Sequence, residues 1–129
     1  MGTDKGVFMI VNCLSVGLGG FLGSVLRYLA GLIPVKTNGF PVTTLIINIL
    51  GAFILSIVAS LAAKGAPVSP RTVLFLKVGL CGGFTTFSTF AYESAKLIEN
   101  GSTLSALCYM LASMVLGVLA ILAGQLLTR

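Results

Sequence analysis

Histidine is absent from the sequence, and acidic side chains nearly so: Asp4, Glu93 and Glu99 are the full set. A metalloenzyme or an acid–base enzyme has almost nothing to work with in such a chain. Charge of either sign is scarce. Charged residues fill 9% of 129 positions, against roughly 25% in soluble domains, which excludes an ordinary soluble domain. The three cysteines, Cys13, Cys81 and Cys108, stand far apart in apolar sequence. They form no CxxC pair and are expected to be small core hydrophobes rather than redox or metal groups. "GLCGGFTTF" contains no GxxxxGK[ST] loop, so no nucleotide-driven cycle is expected.

What the chain has is apolar length. It is 57% hydrophobic, with a mean hydropathy of +1.09. A bilayer span needs about 20 largely apolar residues, and four such stretches are present. They run from about Val7 to Ile33 (interrupted by Arg27), Val42 to Ala63, Thr72 to Ile98 and Thr103 to Leu127. "PVKTNGFP" and "KGAPVSPR" carry the Pro and Gly of loops, and "ENGS" is a turn suited to capping the fourth helix. The first run is long and lacks a small-x-small cleavage site, and "VNCLS" matches a lipid-attachment cysteine poorly. It is expected to be a retained span. The expectation is a single all-α domain over residues 1–129.

The net charge is +5, but the eight Lys and Arg do not cluster. Without a basic stripe or aromatic platform, nucleic-acid binding is not expected. Four spans put both termini on one face, with Lys5, Lys64, Arg71, Lys77 and Arg129 there and Arg27, Lys36 and Lys96 on the other. That bias is weak. It is compatible with one fixed orientation and with insertion both ways. So small a bundle has little room for a hydrophilic path of its own, so a transporter of this size is expected to oligomerise. Gly19-Gly20 with Gly23, and Gly79 with Gly83, supply the small-xxx-small spacing that lets helices approach.

The unusual segment is "GLCGGFTTFSTFAYES", residues 79–94. Glycine costs a helix about 1 kcal/mol relative to alanine, and Gly82-Gly83 precede the β-branched Thr85 and Thr86. A mid-span break is one expectation, and a closely packed unbroken helix is the other. A break would free carbonyls for a cation and N–H groups for an anion. Thr85, Thr86, Ser88 and Thr89 place four hydroxyls in five residues. Back-bonding to the preceding turn accounts for one or two, and four suggest a polar track. Phe84, Phe87 and Phe90 share one broad helical face. They suit packing or lipid contact, or else positive ring edges lining an anion path. Asn48, inside the second span, is either helix–helix glue or a pore donor. Arg27 could attract an anion or pair with backbone carbonyls.

Together, "GGFLGSVLRY", "NILGAF" and "GLCGGFTTFSTF" closely resemble the Fluc (CrcB) fluoride channels over nearly the whole chain. The resemblance implies passive fluoride conduction in a bacterial inner membrane. It also implies an antiparallel dual-topology homodimer with two pores lined by both subunits. By the same resemblance, Phe87 and Phe90 would be the paired pore rings and Asn48 the pore asparagine. Ser88, Thr89 and Ser113 would lie on the polar track, and Arg27 and Glu93 near pore ends. A structural Na⁺ on the dimer axis would be held by the backbone carbonyls of Gly82 and Thr85 from each subunit. Ala91 stands where family members often carry Ser, and Gly117 and Ile121 where hydroxyls occur in relatives. The far half of the track is therefore expected to be less polar here. Two other functions compete: a proton-coupled exporter, which needs a deep carboxylate and has only Glu93, and a non-transporting assembly subunit. An enzyme is not expected, since no nucleophile–base pair is visible.

Overall fold

The computed structural model describes residues 2–129. Among them the secondary structure is all helical: α1 (Gly2–Gly31), α2 (Val42–Ala63), α3 (Pro70–Val73) running into a π-helical stretch Leu74–Cys81 and on into α4 (Gly82–Phe84), then α5 (Phe87–Glu99) and α6 (Thr103–Leu127). Four segments are long and apolar enough to cross a membrane: Asp4–Gly31, Val42–Ala63, Pro70–Glu99 and Thr103–Leu127. The shortest has 22 residues, or about 33 Å of helix at 1.5 Å per residue, enough for a hydrocarbon core of about 30 Å. This is a multi-pass membrane protein.

Local chemistry sets the ends. α1 stops at Gly31, two residues before the expected end, since Pro34 drives Ile33 away from helical geometry. The third span begins at Pro70, where Ser69 accepts a hydrogen bond from the Thr72 amide at 3.1 Å. Asn38 and Gly39 both have positive φ, 50° and 88°. They turn the chain tightly between Thr37 and Phe40, whose amide bonds the Thr37 carbonyl at 3.0 Å. Ser102 occupies the cap position of α6, but its side chain makes no capping bond.

The spans pack as two parallel pairs. The first and third run side by side: Arg71 lies 5.7 Å over the Phe8 ring, and further along Gly19 meets Gly79 and Gly20 meets Gly83. The glycines are what permit this. A Cβ on Gly79 would lie 2.7 Å from the Val16 carbonyl oxygen, and one on Gly83 2.6 Å from that of Gly20. The small-xxx-small pattern thus works inside the chain, between spans one and three. The second and fourth spans pair likewise: Ser56 donates to the Ile121 carbonyl at 2.9 Å, with its side chain seated on Gly124.

The polarity is that of a protein whose solvent is lipid. Many large apolar side chains face outward, while Thr44, Ser56 and Ser94 are buried. The cysteines follow this inversion. Cys81 is buried, but Cys13 and Cys108 are exposed, so the expectation of three core cysteines holds for one. In lipid, a small apolar side chain gains little by turning inward.

Candidate functional site

The third span is broken, and the break falls at Thr85–Thr86 rather than at the glycine pair. Gly82 is helical (φ −64°, ψ −37°), whereas Thr85 and Thr86 are extended, with ψ of 156° and 117°. Gly83 is engaged in the contact with α1, and the β-branched threonines take up the extended geometry that suits them. Gly51 makes room here, for a Cβ on it would collide with the Thr85 methyl.

A break leaves backbone groups without helical partners, and side chains from two other spans supply some of them. Asn48 clamps Thr86 twice: its Nδ2 donates to the Thr86 carbonyl at 3.0 Å, and its Oδ1 accepts the Thr86 amide at 2.8 Å. Arg27 Nε donates to the Gly83 carbonyl at 3.1 Å. Thr86 Oγ1 accepts the Thr89 amide at 3.2 Å, capping α5. Asn48 and Arg27 therefore both hold the broken backbone. One Nδ2 proton of Asn48 remains outside this clamp.

The hydroxyls divide by role. Thr85 Oγ1 bonds back to the Cys81 carbonyl at 2.9 Å, the expected local habit. Thr86 caps α5 and donates to Thr89 Oγ1 at 3.0 Å. Ser88 is exposed, 3.3 Å from Thr86 Oγ1. Ser113, on α6, has a buried Oγ with no hydrogen-bond partner among the described residues.

The rings do not form one stripe. The extended residues rotate α5 relative to α4, so Phe84 turns into a separate apolar cavity with Leu26 and Leu80. Phe87 and Phe90 stay together, with centroids 5.7 Å apart and planes 47° apart. Phe90 also meets Tyr109 at 5.2 Å, and Phe40 meets Tyr109 edge-on at 5.6 Å. Phe87 projects outward, 79% exposed.

Glu93 lies at the far end of this group. Thr44 Oγ1 donates to its Oε1 at 2.8 Å, and the Tyr109 hydroxyl donates to its Oε2 at 2.7 Å. Tyr109 is fully buried, so these hydroxyls take the place of water on a carboxylate. Sequence reasoning missed Thr44 and Tyr109. A signal existed: Tyr109 is the one tyrosine in the uncharged fourth span.

Two cavities meet at Thr86. One, of about 490 Å³, is lined by Arg27, Thr44, Thr86, Thr89 and Glu93. The other, of about 370 Å³, is lined by Asn48, Thr86, Phe87, Phe90 and Ser113, and becomes apolar toward Leu55 and Ile121. The expected site residues thus gather around the break. Gly82 and Thr85 line its backbone, and Ser88 points away from both cavities.

Residues 14–125 match the family model described as CrcB-like protein, Camphor Resistance (CrcB). The chain is 43% identical over 119 residues to the fluoride-specific ion channel FluC of Chlorobaculum tepidum, covering 92% of this chain and 94% of that one. It is 44% identical over 120 residues to the protein of the same name from Rhizobium meliloti, covering 92% and 96%. To that of Methanopyrus kandleri it is 43% identical over 112 residues, covering 86% and 84%. Four spans, a third span broken at two threonines, and likeness running along almost the whole of each relative make this chain a member of the CrcB-like family.

Proposed function

We propose that this chain is a fluoride-selective channel that lets the ion run down its electrochemical gradient, and that it is not an enzyme. The cavity beside the break carries this reading. There the unpartnered Ser113 hydroxyl, the remaining Asn48 N–H and the paired Phe87 and Phe90 rings come together. The relatives' names supply the identity of the ion. Fluoride holds its water tightly, so a path must offer replacement donors along its length. Neutral hydroxyls and an amide N–H can do this without trapping the ion, and phenyl edges add weak positive potential. Thr86 and Thr89 extend the hydroxyl track toward Arg27 and Glu93 at the pore ends. A cell that takes up HF would use such a leak in its inner membrane to resist fluoride.

The conducting unit is an antiparallel homodimer inserted in both orientations, with two pores. Phe87 supports this, since a pore ring that is 79% exposed on one chain needs a second surface to enclose the ion. The carbonyl oxygens freed at the break fit a resident Na⁺. The amides of Thr86 and Thr89, which would serve the Gly82 and Thr85 carbonyls in an unbroken helix, bond Asn48 Oδ1 and Thr86 Oγ1 instead. Hard carbonyl oxygens suit an alkali cation. Gly82 and Thr85 of two copies would hold it, and the ion would supply a fixed positive charge between the subunits.

Efflux from liposomes holding purified protein, read by a fluoride electrode with chloride in parallel, tests the function. Rapid fluoride release without chloride release is expected, with a rate independent of a proton gradient. Retention of both ions by folded protein would sink the proposal. Labelling of a single cysteine placed in the 64–71 loop, from both sides of the membrane, tests dual topology.

A further inference from the structure

We propose that Lys96 is the cation that draws fluoride to the Glu93 end of the pore, and that Glu99 moderates its charge. This rests on the channel reading above. Glu93 and Pro41 form part of the wall of two cavities at once. One is the 490 Å³ cavity that reaches Arg27, Thr86 and Thr89. The other is a smaller cavity of about 240 Å³ that also takes in Tyr92, Lys96 and Asn100. Glu93 thus stands between the cavity that reaches the break and a mouth lined by Lys96.

An anion using that mouth must pass a carboxylate. Thr44 and Tyr109 each donate to one Glu93 oxygen, which satisfies the group without cancelling its charge. A carboxylate beside an anion path repels the ion unless a cation offsets it. Lys96 stands three residues after Glu93 on α5, on the same side of the helix. Its ammonium is confined at the rim, 2.8 Å from Glu99 Oε2 and 5.7 Å from the centre of the Tyr92 ring. The pair is about half exposed, 49% and 62%. Exposed ion pairs add little stability, so folding gives weak reason for this cation to sit here. Its field reaches the outer cavity, and Glu99 subtracts from it. The cation that lines the larger cavity, Arg27, is engaged with the Gly83 carbonyl.

Initial fluoride efflux from liposomes, measured for the wild type, Lys96→Gln, Lys96→Arg and Glu99→Gln, decides this. At about 10 mM ionic strength, where the Debye length is about 30 Å, Lys96→Gln is expected to slow efflux by about two- to fivefold. Lys96→Arg should keep the wild-type rate, and Glu99→Gln should exceed it. At about 1 M of an impermeant salt, where the Debye length is about 3 Å, the four rates should converge. A loss in Lys96→Gln that persists at high salt would mean a structural role and overturn the proposal. So would variants that match the wild type at low salt, and in that case the channel reading stands, because the wild type conducts. A wild type that carries no fluoride removes both.

Discussion

Asn48 grips both backbone groups of Thr86, donating to its carbonyl at 3.0 Å and accepting from its amide at 2.8 Å. A side-chain amide thereby does for the extended residue what a neighbouring strand would do. The same residue lines the cavity with Phe87, Phe90 and Ser113. Holding the break and facing the cavity are two consequences of one placement.

Asn48→Asp keeps the acceptor but loses the donor, and it adds negative charge beside the cavity. We expect fluoride efflux to fall at least about tenfold. A stability loss of about 1–3 kcal/mol is expected from the orphaned Thr86 carbonyl. Normal efflux through a variant whose introduced carboxylate is shown to be ionised would contradict Asn48 as a pore residue.

Phe87→Ile and Phe90→Ile are each expected to reduce fluoride flux greatly without preventing assembly. They should differ in stability. Phe90→Ile loses ring contacts to both Phe87 and Tyr109, each worth about 0.5–1.5 kcal/mol. Phe87→Ile loses only the contact to Phe90 within the chain. Efflux and denaturation, run on the same preparations, separate the two effects. Unchanged flux in both variants would remove the rings from the pathway.

Gly83→Ala should destabilise the bundle by about 1–3 kcal/mol by forcing spans one and three apart, since the new methyl would meet the Gly20 carbonyl at 2.6 Å. Gly117→Ala is the control. Nothing lies within 4 Å of a Cβ there, and alanine favours the helix by about 1 kcal/mol. Thermal melts in one detergent compare them, and equal melting would refute the close-packing role of Gly83.

Tyr109→Phe removes one of the two hydroxyls on Glu93, with an expected cost of about 1–3 kcal/mol. In a Glu93→Gln background the same change should cost less, because no carboxylate is left short of a donor. A double-mutant cycle measures this coupling. Additive effects would mean that Tyr109 acts through packing alone.

Much was determined by the sequence alone. Scarce charge and four apolar runs dictate four spans, because bilayer thickness sets span length and every buried backbone group must be paired. The third-span motif announced the family, while its residues alone left a break and an unbroken helix both open. Only the tertiary structure decided how those pieces are used. The glycines looked like the site of the break, yet Gly79 and Gly83 serve a helix contact, and whether a glycine is filled or empty space depends on a partner that local sequence does not name. Phe84, Phe87 and Phe90 shared a face only while the helix was assumed unbroken, and two extended threonines separate the first from the others. The bonds of Glu93 to Thr44 and Tyr109 join residues 49 and 16 positions away, a proximity that exists only after three spans have packed. Hydropathy acts residue by residue and can be read along the chain, whereas hydrogen bonds across a bundle depend on which faces the packing turns toward each other.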